Sequence, residues 1–377
     1  MNKVATKPSV LLDATAISFN RGGVGRYVEE LAREAAISGE NLIVVCQERD
    51  LDAFREFDSA VIKAPGFIRS VPLRLIWEQF GLPSVAKRVG AEVIHSPHYT
   101  FPLFTKLARV VTVHDLTFWS HPDRHNPIKR VFFKFWIRLA ARLPRAVVVP
   151  SEATANEFRL KTSAKKVFVA HHGVDSEIFH PPTKSEITKF ASAHGVSDWV
   201  AFLGTIEPRK NVVPLIRGFR RAIADLKKKP ALLLAGAAGW DDAVSGEIIE
   251  ATRAGFDVRH LGYLPIHELS ALLGGAKVVA YPSEGEGFGL PVLEAMACGA
   301  TVLTADSLAI PEVGGKAVQY SGTDYESIAT ALSKLLKDEP ARKTFAEAAL
   351  VRSKKFSWSA CLGVHLAAWA AATSVPR

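Results

Sequence analysis

The sequence predicts an α/β protein with two doubly wound parallel-sheet domains, and three observations carry that expectation. Short, β-branched, nearly continuous apolar runs recur along the chain with helical patterns between them, the mark of parallel strands buried on both faces. The alternation is interrupted once, by residues 171–182, whose Gly173 and paired Pro181 and Pro182 break regular structure, and then restarts. The 377 residues, 48% of them hydrophobic, exceed what one core usually spans. The domains are therefore placed at 1–180 and 181–377.

In chain order, Ser9 to Asp13 forms a first strand, and Gly22, Gly23 and Gly25 open a helix through Tyr27, Leu31 and Ala35. Further strands are expected at Leu42–Cys46, Val93–His95, Val110–Val113 and Ala146–Val149. In this architecture ligands meet the carboxyl ends of strands, which makes His95, His98 and the pair His114-Asp115 cleft-edge candidates. His114 can donate to a polar ligand or simply cap the turn that follows it. The second half supplies strands at Trp199–Leu203, Ala231–Ala235, Val258–Leu261, Lys277–Ala280 and Thr301–Thr304. It lacks a Gly-x-Gly-x-x-Gly with a downstream acid after its first strand, which argues against a dinucleotide redox cofactor. Phe356-Ser-Trp-Ser reads as the start of a last helix, about 356–372, capped by Ser357 or Ser359.

Two segments of the second half carry ligand chemistry. Gly204 follows its first strand and leads to Arg209 and Lys210, ahead of a helix from Val212 to Ala224. Cations at a helix N-terminus oppose the dipole, so an anion between them, such as a diphosphate, gives them a reason to be there. The other segment runs from Tyr281 through Gly285, Glu286, Gly287, Phe288 and Gly289 into a helix with Leu290, Pro291 and Glu294. A strand, a glycine loop and a helix start present free N–H groups to a phosphate, and Pro291 needs no N–H in the first turn. Glu286 and Glu294 stand eight positions apart, one on the loop and one about a turn and a half into the helix, so one ligand can meet both.

Composition narrows the partners. The formal net charge of +9 favours anionic partners, but the basic residues match no nucleic-acid module, so no nucleic acid is expected. Cys46, Cys298 and Cys361 have neither metal-ligand nor CxxC spacing, which fits a reducing cytoplasm and gives no metal site. No apolar run approaches the ~20 residues of a spanning helix, and Met1 to Ala5 has no signal-peptide core.

Glu286-Gly-Phe-Gly-Leu-Pro-Val-Leu-Glu294, preceded by Tyr281-Pro-Ser283, resembles the Glu-x7-Glu signature of the retaining, nucleotide-sugar-dependent glycosyltransferases of group 1 with GT-B architecture. Gly204-Thr-Ile-Glu-Pro-Arg-Lys-Asn211 resembles that family's donor-phosphate segment, and Arg21-Gly-Gly-Val-Gly-Arg26 its N-terminal glycine loop. The resemblance implies two Rossmann-like domains facing across a cleft, the first binding acceptor and the second donor, with the last helix crossing back to the first. It implies no cofactor beyond the nucleotide-sugar co-substrate and no metal. Arg209, Lys210 and the N–H groups of Gly287 to Gly289 would hold the leaving diphosphate. Glu286 would meet the sugar and Glu294 the ribose, while Gly22 and Gly23 would line the cleft and His114 would contact the donor sugar. Arg26 fits a solvated surface residue equally well. Gly262-Tyr263 would shape the base pocket. The family expectation is retention by a front-face mechanism. A sugar-nucleotide epimerase or phosphorylase-like enzyme is the alternative for the same architecture.

Arg74-Leu-Ile-Trp-Glu-Gln-Phe-Gly-Leu-Pro83, followed by His95-Ser-Pro-His98, looks most like bacterial mannosyl- and rhamnosyltransferases of polysaccharide and lipopolysaccharide assembly, which inclines the donor towards GDP-mannose. The plain alternative for Trp77 and Phe80 is core packing. Such enzymes build on glycan or polyprenyl-diphosphate-linked acceptors, by the same resemblance. Within 126–144, Arg130, Lys134, Arg138 and Arg142 recur every fourth residue beside Phe132, Phe135, Trp136 and Leu139, a pattern of an interfacial helix on an anionic membrane surface or of a helix packed on its own sheet. A cytoplasmic enzyme, peripheral on the inner face of the membrane, follows from the first option.

Overall fold

A computed structural model describes residues 7–18, 22–57, 59–120, 122, 126–164 and 166–374. Arg21 of the N-terminal glycine loop and the segment Met1 to Ala5 lie outside them. The chain separates into two compact units, residues 1–173 with 358–377, and residues 174–357.

The first unit holds a parallel sheet of β1 (Val10–Asp13), β2 (Leu42–Cys46), β3 (Ala60–Lys63), β4 (Val93–Ser96), β5 (Ala108–Thr112), β6 (Ala146–Val149) and β7 (Val167–Val169), in the order β3-β2-β1-β4-β5-β6-β7. The second holds β8 (Trp199–Leu203), β9 (Ala231–Ala235), β10 (Val258–Gly262), β11 (Val278–Tyr281), β12 (Val302–Ala305) and β13 (Gln319–Ser321), in the order β10-β9-β8-β11-β12-β13. Each order grows outward in one direction and then reverses, at β1/β4 and at β8/β11. Such switch points open a crevice at the carboxyl ends of the strands.

The strands read from the sequence match to within about two residues at each end, and β3, β7 and β13 are additions. All three additions are edge strands of three or four half-exposed residues; the apolar runs of β3 and β7 are only three residues long, and β13 has none.

The break between units falls at Gly173/Val174, ahead of residue 180, because the intervening segment is tied to the second unit. His180 N donates to Ser270 Oγ at 3.2 Å, Ser270 Oγ donates to the Ile178 carbonyl, and Phe179 is buried. The last helix, Trp358–Thr373, begins just after Ser357 and covers the first unit's sheet with Trp358, Leu362, His365 and Trp369. Arg145 Nη1 fastens its end by donating to the Ala372 carbonyl at 2.8 Å.

His95 is corrected by this helix. Its side chain lies fully buried beneath the helix, its Nε2 2.9 Å from Thr112 Oγ1 and its Nδ1 accepting from Trp369 Nε1 at 3.3 Å. It is a core residue rather than one at a cleft edge. Trp77 is core as well, whereas Phe80 is 60% exposed and stacks on Phe104.

The basic segment forms the helix Pro127–Ala140, capped by Asn126 Oδ1 on Ile128 N at 2.9 Å, and Arg142 lies past its end. Phe132, Trp136 and Leu139 of the expected apolar stripe pack on the core, while Lys134 and Arg138 lie over the Trp119 ring at 5.4 and 5.7 Å. A second stripe, Ile128, Val131 and Phe135 at helical spacing, is exposed instead. Among the described residues no helix is long and apolar enough to cross a membrane.

Candidate active site

The second unit's switch point gathers most of the residues singled out in its sequence. β11 ends at Tyr281, and the glycine loop after it leads to the helix Leu290–Ala297, with Gly289 as its N-cap at φ 106° and Pro291 in the first turn. The left-handed backbone at Gly289 suits glycine, which turns the chain into the helix without a Cβ penalty. On the neighbouring strand, β8 runs into Gly204 at φ 151°, a tight turn at Pro208–Lys210 and the helix Val212–Ile223. A Cβ on Gly204 would stand 2.8 Å from Lys210 Nζ, so the missing side chain makes room for the ammonium.

Arg209 stitches the two segments together. Its Nη1 lies 2.6 Å from Glu286 Oε1 and donates to the Gly285 carbonyl at 2.9 Å, its Nε donates to Glu207 Oε2 at 3.0 Å, and its carbonyl accepts from Glu284 N at 2.8 Å. Glu286 Oε1 also accepts from Tyr281 Oη at 2.7 Å and Ser283 Oγ at 3.0 Å. Burial alone would raise the Glu286 carboxyl, but Arg209 and Lys210 outweigh it and hold the group below its ordinary value. Burial likewise works against the Arg209 charge, and Glu286, Tyr281 and Glu207 more than offset it, so the guanidinium is raised well above its usual range. Lys210 is lowered, chiefly by burial, with Glu286 opposing the effect. Glu294, 3% exposed, is no solvated helix residue and lies close enough to act electrostatically on Lys210.

The remaining candidates are distributed as follows. Phe288 is buried edge-on against Phe356, with ring centroids 5.8 Å apart, and Leu290 is buried at the start of the helix. Gly262 ends β10 at φ 67°, and Tyr263 beside it is 62% exposed. In the first unit, Gly22 caps the helix Gly23–Ile37 through its backbone alone. His114 is buried, its Nε2 2.9 Å from the Pro97 carbonyl and its ring edge-on to Tyr27, and burial lowers its pKa despite Pro97 and Asp115. The turn after it is capped by Asp115, whose Oδ1 accepts from Thr117 N and Oγ1. The sequence reading assigned no role to Glu207 or to the hydroxyls of Tyr281 and Ser283, although all three lie inside the quoted motifs. Glu207 meets Arg209, and Tyr281 and Ser283 meet Glu286, within a few residues of chain, but the Arg209 contact to Gly285 that brings the two groups together spans 76 positions, which local spacing does not reveal.

Two adjacent cations, Lys210 buried and Arg209 half-buried, stand beside a glycine loop and helix start at the switch point of a doubly wound sheet, an arrangement whose chemistry suits a phosphorylated ligand. The family is narrower. Residues 21–178 match the family model "Glycosyltransferase Family 4", and residues 185–352 match "Glycosyl transferases group 1". The chain belongs to the glycosyltransferases of GT-B architecture. It is 26% identical over 373 residues to the O-antigen chain mannosyltransferase B of Escherichia coli, covering 93% of this chain and 97% of that protein. HepE of Anabaena, solved with UDP-glucose, shares the fold with a TM-score of 0.75 at 19% identity, over 95% of this chain and 98% of that one. WaaG, a glycosyltransferase involved in lipopolysaccharide biosynthesis, does so with a TM-score of 0.74 at 15% identity, over 95% and 98%.

Proposed function

We propose that the enzyme is a retaining hexosyltransferase that moves mannose or a related hexose from a GDP-linked donor to a hydroxyl of a glycan or polyprenyl-diphosphate-linked acceptor in bacterial polysaccharide assembly. The observation that carries this reading is the half-buried Arg209 and the buried Lys210, packed against Glu286 at the carboxyl ends of β8 and β11. As the sugar leaves, negative charge grows on the departing phosphate, and preorganised cations and helix-start N–H groups in a poorly solvated site stabilise it without a metal. Arg209 and Lys210 fill that role, with the N–H groups of Gly287 to Gly289. Glu286 accepts bonds from the sugar hydroxyls, and Glu294 holds the ribose. The mannosyl donor rests on the likeness to the O-antigen chain mannosyltransferase. Mass-spectrometric screening of GDP- and UDP-sugars with a polyprenyl-diphosphate-linked acceptor tests the proposal. GDP-mannose consumption that requires the acceptor is expected, and a clear preference for UDP-sugars overturns the GDP assignment.

We further propose that the enzyme works on the cytoplasmic face of an anionic membrane. Support comes from the exposed stripe Ile128, Val131 and Phe135, with Lys129 and Arg138 exposed on the same helix. Apolar insertion and basic headgroup contacts act together at such an interface. Co-sedimentation with phosphatidylglycerol vesicles should be lost in the Ile128→Ser, Val131→Ser, Phe135→Ser triple variant. Wild-type protein that stays in the supernatant at low salt removes this role.

A further inference from the structure

The function proposed above uses the β8/β11 switch point; the first unit has its own, at β1/β4. Asp13 is the last residue of β1, and His98 follows β4 by two residues. The helix Val71–Arg88 brings Arg74 and Glu78 to the same place, so the Arg74–Pro83 motif, which has no part in the donor site, converges here.

The two buried carboxylates differ in how they are satisfied. Glu78 Oε2 accepts from Arg74 Nη1 at 3.0 Å and Thr100 Oγ1 at 2.7 Å and lies 3.4 Å from His98 Nε2, while its Oε1 accepts from Gln79 Nε2 at 3.3 Å. Asp13 Oδ1 accepts from Thr15 N at 3.0 Å and Thr15 Oγ1 at 2.6 Å. Asp13 Oδ2 is as deeply buried, has no hydrogen-bond partner, and lies 3.7 Å from His98 Nε2. A buried acceptor left without a donor forfeits its hydration with nothing in return, which is why such atoms mark ligand positions. The His98 side chain is 12% exposed, so the cluster is open to solvent on that side.

Two atoms 3.7 Å apart can both reach one oxygen at an ordinary bond length of about 2.8 Å. The single His98 Nε2 proton, which has only the long 3.4 Å contact to Glu78 Oε2 inside the protein, turns to that oxygen, and the oxygen's own proton satisfies Asp13 Oδ2, so the group that fits is a hydroxyl, donor and acceptor at once. An anion is repelled by Asp13 and Glu78. A divalent cation suits the spacing of the three ligand atoms, which lie within 4.8 Å of one another, but would face Arg74 on the same Glu78 oxygen.

We infer that Asp13 Oδ2 and His98 Nε2 form a hydroxyl-binding subsite for the acceptor sugar at the β1/β4 switch point, resting on the transferase reading above. Glu78, Arg74 and Thr100 are positioning residues that hold the His98 ring.

The probe is methyl α-D-mannopyranoside, followed by saturation-transfer NMR on the full chain, with GDP-mannose and UDP-glucose titrated separately. Wild type should bind the pyranoside, Asp13→Ala and His98→Ala should weaken it about tenfold or more, and His98→Gln, whose amide can still donate, should retain most of it. Donor binding should be unchanged in all three. Should Asp13→Ala fail to fold by near-ultraviolet circular dichroism, the two His98 variants decide alone. Equal pyranoside binding by wild type and His98→Ala overturns the subsite, as does no binding by wild type. Mn2+ binding to wild type, by electron paramagnetic resonance, that is lost in His98→Ala makes the cluster a metal site and also overturns it. Loss of all nucleotide-sugar binding by wild type instead sinks the transferase reading, so the two failures are separable.

Discussion

The two switch points solve the burial of a carboxylate in opposite ways. In the second unit Glu286 Oε1 is met by a guanidinium at 2.6 Å and by two hydroxyls, so one carboxylate oxygen is answered three times over inside the protein. In the first unit Asp13 keeps one buried oxygen unanswered beside a histidine, and the neighbouring core is built on neutral imidazoles. Tyr27 Oη lies 2.7 Å from His365 Nε2 and 2.8 Å from Thr112 Oγ1, and His95 shares that threonine. Ion pairs and neutral histidines therefore give the two units different electrostatic weak points within one kind of sheet. A paired buried charge fails when its partner is removed, and a neutral buried histidine fails when protons are added.

The strongest way to break the comparison is Arg209→Ala. It removes the main charge on the leaving-group side and strands Glu286, so turnover should fall roughly 10²–10³-fold and unfolding free energy by about 3 kcal/mol. Steady-state kinetics and urea unfolding check both, and near wild-type values for the two would remove the proposed site.

Acid should act first on the other unit. Burial lowers the pKa of His95, His114 and His172, and lowers His365 to about 4. The unfolded chain takes up protons near the ordinary value of about 6.5, while the folded core resists. The stability these histidines leave intact is thus complete above about pH 6.5 and erodes as pH falls towards 4, by about 3 kcal/mol for His365 alone. Glu286 is depressed instead, so its contribution persists until pH drops below the ordinary carboxylate value of about 4.5. Urea unfolding at pH 7 and pH 5 should show the loss, and His365→Gln should flatten it. A pH-independent midpoint across that range contradicts the neutral-histidine core.

Glu294→Gln should have the smallest of these effects. A neutral amide accepts from ribose hydroxyls less strongly than a carboxylate, so donor affinity should fall about tenfold with little change in stability. Isothermal titration with the preferred nucleotide sugar measures it, and unchanged affinity dissociates Glu294 from the donor.

The central strands and both glycine loops are legible in the chain because fully buried parallel strands must be apolar throughout, and because strand-to-helix turns need glycine where the backbone turns left-handed or a cation packs close. β3, β7 and β13 escaped because they are short, half-solvated edge strands, β3 and β7 with only three apolar residues in a row and β13 with no apolar run. The basic helix shows the same limit. Its periodicity gave an apolar stripe, but only packing decided that Phe132 and Trp136 face the core while Ile128, Val131 and Phe135 remain outside.

By itself, the sequence determined the alternation of strand and helix, the two-part organisation, and the Glu286 to Glu294 and Gly204 to Asn211 segments, since each depends on residues near one another in the chain. Tertiary structure alone decided that Arg209 pairs with Glu286, that His95 is sealed under the last helix, and that Asp13, Glu78 and His98 converge. Those contacts join residues from 20 to 274 positions apart, and local pattern carries no information about which distant side chains a folded sheet brings to the same strand ends.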